Sequence, residues 1–124
     1  EPDYVVVVDE TLIASVDVLA GLKEGGAVVI NSSKDPEEIR PLLKGYEGRI
    51  YTIDARTISV EELGRYFPNV PMLGAVVKIA NLMDEDVFVE AMEKSFKHKF
   101  ATKPQVIDGN MRALKRAMQE VKGL

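Results

Sequence analysis

The sequence predicts an α/β fold, a three-layer α/β/α arrangement with a mainly parallel sheet and a helical C-terminal part. Three observations carry this. Short apolar runs at Tyr4–Val8, Ala27–Ile30 and Ile50–Ile53 alternate with helical patterns in the first half. Those runs are apolar throughout, the mark of strands covered on both faces, as in parallel sheets flanked by helices. After Asp54 only helical periodicities follow.

Tyr4–Val8, rich in β-branched residues and ended by Asp9, forms the first strand. In Thr11–Leu22, Leu12, Val16, Leu19 and Leu22 recur at helical spacing, with Gly21 at the end. Gly25-Gly26 is a turn signal before the second strand, and Gly45 and Gly48 precede the third. Asp35-Pro36-Glu37-Glu38 combines a cap residue, a proline at the first helical position and first-turn acids, which predicts a helix from Pro36 to about Leu43. Ser59-Val60-Glu61-Glu62 reads as a capping box with Ile58 and Leu63 as a hydrophobic staple, starting a helix that ends near Phe67, where Pro68 and Pro71 break the chain.

Pro71–Met83 is apolar nearly all round and is expected to be a buried helix. Glycine inside a helix costs about 1 kcal/mol relative to alanine, so Gly74 points to close approach of another backbone. Asp84 caps the next helix, whose apolar stripe is Phe88, Ala91, Met92 and Ser95 or Phe96 and whose end is basic. The last helix places Ile107, Met111, Leu114, Met118 and Val121 at spacings of three and four, with Lys115 and Arg116 outside.

The 124 residues, 46% of them apolar, suit one domain, residues 1–124, with enough material for a core. Sixteen Lys and Arg against 20 Asp and Glu leave a net charge of −4, which argues against a nucleic-acid partner. The longest apolar runs fall far short of the roughly 20 residues that span a bilayer, so no membrane partner is expected. Glu1 and Asp3 stand where a basic leader would be, and a cytoplasmic location is expected. Without cysteine the chain has no thiolate nucleophile and no soft ligand for an iron–sulfur cluster or structural zinc. Its single histidine, His98, stands among lysines at a helix end, where a cation complements the dipole.

In open α/β sheets ligands gather beyond the carboxyl ends of the strands, and those ends carry Asp9, Asn31 with Ser32, and Asp54. Either they form a small crevice, with a metal on Asp9 and Asp54 as in phosphoacceptor domains, or they cap following helices and bind loop amides. Gly21, Gly25 and Gly26 lack the spacing of a phosphate loop and are turn residues. Asp108-Gly109-Asn110 resembles the opening of a thiamine-diphosphate magnesium motif, whose downstream asparagine does not follow. Lys94, Lys97, His98, Lys99 and Lys103 either dock an acidic protein such as a ferredoxin or form a solvated helix end.

The segment NVPMLGAVVKIANL, with the opening EPDYVVVVDETLIASVDVLAGLKEGGAVVIN, the stretch YTIDART and the ending VIDGNMRALKRAMQEVK, resembles the gamma subunit of 2-oxoacid:ferredoxin oxidoreductases, the pyruvate enzymes above all. The resemblance runs along nearly the whole chain. It implies a structural part of an enzyme that converts pyruvate, coenzyme A and oxidised ferredoxin to acetyl-CoA, carbon dioxide and reduced ferredoxin. It places thiamine diphosphate, magnesium and the iron–sulfur clusters on partner subunits of alpha, beta and delta type, with none on this chain, and ferredoxin reached through the complex. Family gamma chains carry a further N-terminal region with a glycine-rich HGRGGQG-like stretch. The chain is therefore expected to cover the last two-thirds of a gamma-type catalytic domain and to be inactive alone.

The family pattern matches at Asp54, Asn69, Pro71, Met72, Leu73, Gly74 and Asn110. None transfers a catalytic role; Asn69, Pro71, Met72, Leu73, Gly74 and Asn110 are packing or interface candidates, and Asp9, Asn31 and Asp54 are the strand-end polar candidates. Chains serving pyruvate, 2-oxoisovalerate and 2-oxoglutarate enzymes look alike, and Pro71-Met72-Leu73-Gly74 leans toward pyruvate. The alternative is a stand-alone small-ligand or phosphoacceptor module using Asp9 and Asp54.

Overall fold

The computed structural model describes residues 4–9, 26–43, 46, 48–81 and 83–124. The helix expected over Thr11–Leu22 lies outside the described residues. The chain divides into two compact units, one of residues 1–54 with 121–124 and one of residues 55–120.

The first unit holds an all-parallel sheet of β1 (Tyr4–Val7), β2 (Ala27–Asn31) and β3 (Arg49–Ile53), in that order. Tyr4 pairs with Ala27 and Ala27 with Arg49. This is the α/β pattern that the apolar runs predict. β2 is central and buried along its whole length. Val7, Val28, Ile30 and Ile50 pack with Ile39 and Leu43 as one cluster, and the Tyr46 hydroxyl comes within hydrogen-bond distance of the Gly26 and Arg49 carbonyls.

Full coverage of the first strand is not observed. Val6 is 42% exposed and Val8 43%, while Val7 is buried. β1 is an end strand of the three, so continuous apolarity overstates its burial. The outer edge of β3 is met by the C-terminal residues: the Thr52 and Lys122 backbones exchange hydrogen bonds of 3.1 and 2.8 Å in an antiparallel bridge.

α1 (Pro36–Ile39) starts where its cap signal stands, with the Glu38 carboxylate accepting from the Asp35 amide at 3.0 Å. It does not run on to Leu43 as an α-helix. Pro41 has no N–H and its ring crowds the carbonyl four residues earlier, so the chain tightens into a 3₁₀ turn over Arg40–Leu42.

The described residues of the second unit form four helices: α2 (Ala55–Leu63), α3 (Asn69–Ala80), α4 (Glu85–Lys99) and α5 (Pro104–Glu120). α5 packs against the other three. α2 begins four residues before the expected capping box, directly after Asp54, itself a cap residue type. Ser59 is therefore interior and fully buried; its hydroxyl donates to the Arg56 carbonyl at 3.0 Å and accepts from the Phe67 amide at 3.1 Å. Gly64, at φ 75°, ends the helix instead of Phe67.

Pro71 does not break the chain but occupies the first turn of α3, where its missing N–H has no helical acceptor to lose. Asn81, at φ 50°, closes that helix in the left-handed conformation. Asp84 caps α4 by accepting from the Asp86 and Val87 amides. Of the stripe expected on α4, Phe88 and Phe96 are buried and Met92 half-buried, whereas Ala91 and Ser95 are exposed. On α5, Met111, Leu114 and Met118 are buried and Ile107 half-buried. Burial of a side chain such as Leu114 or Ile58 contributes about 2 kcal/mol.

Candidate functional site

Two places bring the sequence-selected residues together, one in each unit.

In the first unit the strand ends form a polar rim. Asn31 is buried at the end of β2, and its side-chain amide donates to the Val8 carbonyl at 3.0 Å, joining two strand ends. Ser32, also buried, donates its amide to the Ile53 carbonyl at 3.0 Å and accepts from the Lys34 amide at 3.1 Å. Asp9 is exposed and Asp54 half-buried. The Lys122 ammonium makes an ion pair with Asp35 at 2.9 Å, which raises its pKa, with Asp54 and Glu38 adding to the same field.

The described residues of the rim do not assemble a magnesium site. Magnesium seeks several oxygen donors around one point, and the described residues hold no group of three His, Cys, Asp or Glu side chains able to hold a metal ion. Asn31 spends its amide on Val8, and a lysine approaches from the C-terminal segment. The chemistry visible here ties strand ends and loops together.

In the second unit the unusual segment 69–75 opens α3 and divides by helical side. Val70, Pro71, Met72, Gly74 and Ala75 are buried, whereas Asn69 and Leu73 are exposed. A Cβ on Gly74 would lie 2.8 Å from the Leu114 carbonyl oxygen and 3.3 Å from a Leu114 methyl, so the backbones of α3 and α5 meet there. Gly109 plays the same part toward α2: a Cβ would lie 2.7 Å from the Glu62 carbonyl oxygen. Sequence reasoning singled out Gly74 and passed over Gly109, although a glycine inside an amphipathic helix was the same signal.

Asn69, Leu73 and Asn110 line one groove of about 760 Å³. Asn110 is nearly fully buried, and its side-chain amide donates to the Val106 carbonyl one turn earlier at 2.7 Å. Phe67, Val70, Phe96 and Phe100 give the groove aromatic and aliphatic walls, with the Phe96 and Phe100 rings stacked 6.4 Å apart. Arg65 lies over the Phe67 ring at 4.9 Å and Lys99 over Phe100 at 5.3 Å, which leaves their charges at the groove's margin. The i, i+4 spacing of Phe96 and Phe100 at the basic end of α4 could have announced this wall.

Beside the groove, α2 and α5 are joined by ion pairs. Glu62 accepts from Arg112 at 2.8 Å and from Arg116 at 3.1 Å, and Arg116 also reaches Glu61 and Glu120. Arg116, outside the apolar stripe as its helical position implies, is half-buried and paired there. Hydrogen bonding to Arg112, then to Arg116, holds the Glu62 carboxyl below its usual pKa against the opposing effect of burial. Arg116 is held charged by Glu120, Glu61 and Glu62.

Comparison with known proteins supplies what this geometry lacks. The family model described as "Pyruvate ferredoxin/flavodoxin oxidoreductase" matches residues 1–120.

The chain belongs to this family.

Among pyruvate ferredoxin/flavodoxin oxidoreductases it is 41% identical over 121 residues to the pyruvate synthase subunit PorC of Thermotoga maritima, covering 98% of this chain and 61% of that protein. It is 43% identical over 101 residues to the pyruvate/ketoisovalerate oxidoreductases common subunit gamma of Thermococcus litoralis, covering 82% of this chain and 52% of that one. The crystal structure of pyruvate oxidoreductase subunit PORC from Thermotoga maritima superposes with a TM-score of 0.84 at 41% identity, covering 98% of this chain and 65% of the other. The chain thus spans between about half and two thirds of the length of these relatives. The resemblance read from NVPMLG, YTIDART and the C-terminal helix holds at the level of the family.

Proposed function

We propose that the chain is the larger part of a gamma-type subunit of a 2-oxoacid:ferredoxin oxidoreductase acting on pyruvate. The enzyme converts pyruvate, coenzyme A and oxidised ferredoxin to acetyl-CoA, carbon dioxide and reduced ferredoxin. The observation that carries this reading is 41% identity to a pyruvate synthase subunit across 98% of the chain, together with the TM-score of 0.84.

The chain's role is structural. Residues 1–124 act as the C-terminal two-thirds of the gamma-type domain, packing against subunits of alpha, beta and delta type. Thiamine diphosphate, magnesium and the iron–sulfur clusters belong to those partners, and ferredoxin is reached through the complex. Supporting this division, the sequence has no cysteine, and the strand-end residues Asn31 and Ser32 are engaged in backbone contacts. No described helix is long and apolar enough to cross a membrane, and we place the assembly in the cytoplasm.

The test is to tag the gene at full genomic length in its native host, purify what accompanies it, and assay viologen reduction dependent on both pyruvate and coenzyme A. A brown complex with that activity is expected. A complex that reduces viologen with 2-oxoisovalerate or 2-oxoglutarate but not pyruvate would overturn the substrate, and a colourless, inactive chain would overturn the subunit role.

A further inference from the structure

The groove in the helical unit has a composition at odds with the chain that carries it. The chain is acidic, at −4, yet the groove is lined by Arg65, Lys99, Lys103 and Arg112 against the single acid Glu62. That acid is already taken up by Arg112 and Arg116. The neighbouring lysines behave differently from those of the groove: Lys94 and Lys97 pair with Glu90 and Glu93 on their own helix. Arg65, Lys99 and Lys103 make no ion pair among the described residues, and the first two sit over aromatic rings that form the groove's walls.

Between these cations the groove is lined by Phe67, Leu73 and Phe100, together with the buried Val70 and Phe96 and the amides Asn69, Gln105 and Asn110, and Leu73 is 40% exposed to solvent. Unpaired cations around an aromatic floor are complementary to carboxylates flanking large apolar side chains. We propose that this groove receives an acidic segment bearing aromatic or aliphatic side chains from another subunit of the same assembly. The proposal rests on the subunit reading above and goes beyond it by placing one contact on this chain. The apolar side chains of the segment enter between Phe67 and Phe100, and its carboxylates meet Arg65, Lys99 and Lys103. Arg112, already bound to Glu62, holds the wall in place. Cations at the margin chiefly set the rate and salt sensitivity of docking, and the aromatic floor sets its lifetime.

The experiment uses the complex purified through the tagged full-length gene. A zero-length carboxyl-to-amine cross-linker, read by peptide mass spectrometry, is expected to join Lys99 or Lys103 to Asp or Glu in an apolar-rich segment of another subunit. The double variant Arg65→Glu/Lys103→Glu is expected to weaken retention of that subunit at least tenfold. Lys103→Arg and the double variant Lys94→Glu/Lys97→Glu should retain it. Lys103 immediately precedes α5, where an acid suits the helix N-terminus, so the variant keeps its fold, which circular dichroism checks. Cross-links only to a second copy of this chain, or wild-type retention by the Arg65→Glu/Lys103→Glu variant, would overturn the proposal while leaving the subunit reading intact. Failure of the unmodified chain to retain any other subunit would overturn both.

Discussion

Gly74 of α3 faces the carbonyl of Leu114 on α5 so closely that a Cβ would stand 2.8 Å from its oxygen. No real Cβ tolerates that distance to a backbone atom, and a helix carbonyl cannot swing aside as a long side chain can. Two effects of Gly74→Ala therefore oppose one another. Higher helix propensity favours alanine by about 1 kcal/mol, and forcing apart two packed backbones costs about 1–3 kcal/mol. Because the contact is backbone on both sides, packing wins: a net loss of up to about 2 kcal/mol is expected from chemical denaturation of the full-length chain, and Gly74→Leu should cost more and impair subunit assembly.

Glu62 ties α2 to α5, and its depressed pKa fixes the direction of its pH dependence. A carboxyl that titrates lower when folded than when unfolded stabilises the fold above its unfolded pKa, about 4.3. That stabilisation fades as the pH falls through the lower folded value. Between pH 5 and about pH 3 the wild-type chain should lose more stability than Glu62→Gln, as thermal melts across that range would reveal.

Arg116 joins Glu61, Glu62 and Glu120, so Arg116→Ala leaves three carboxylates without their shared cation. Exposed ion pairs are worth about 0–1 kcal/mol each, and the network here is half-buried. A loss of about 1 kcal/mol at neutral pH is expected. The loss should shrink in strong salt, which screens the exposed members Glu61 and Glu120.

Thr52 in β3 is fully buried, and its hydroxyl has no hydrogen-bond partner among the described residues. A buried polar group without a partner costs about 1–3 kcal/mol, and valine has nearly the same shape. Thr52→Val should raise the denaturation midpoint, by about 1 kcal/mol in stability, with the backbone bridge to Lys122 intact.

Asn81 closes α3 at φ 50° and is exposed, so its conformation can be tested with little change in packing. Asn81→Gly should be near neutral, whereas Asn81→Val should cost about 1–2 kcal/mol because a β-branched side chain resists the left-handed region. Equal stability of the two variants would show that another conformation is available there.

Much of this architecture is legible in local chemistry. The apolar run Ala27–Ile30 is a central strand, Asp84 is a cap, and Gly74 marks a meeting of helices because each signal depends on its near neighbours or on backbone sterics alone. Ser59 misled because Ser-Val-Glu-Glu satisfies a capping box wherever it falls, while the packing of Ile58 and Ser59 placed the helix start at Ala55. The partners of Arg116 were not legible because periodicity assigns a side of the helix but does not identify what lies across from it. The groove was out of reach for the same reason: Phe67, Phe100 and Asn110 are far apart in sequence, and only the packing of α3, α4 and α5 sets them around one space. The strand-end residues Asp9, Asn31 and Asp54 were legible as a rim, but only coordinates reveal that Asn31 spends its amide on Val8.

We propose that this chain works as a piece of a multi-subunit oxidoreductase whose cofactors are held by its partners. Native mass spectrometry of the assembly carried by the tagged full-length gene tests it most directly, with thiamine diphosphate and iron traced to individual subunits as the complex is taken apart. A hetero-oligomer from which this subunit is released free of both is expected. Release of this subunit as a lone chain, or with thiamine diphosphate or iron bound to it, would contradict the claim.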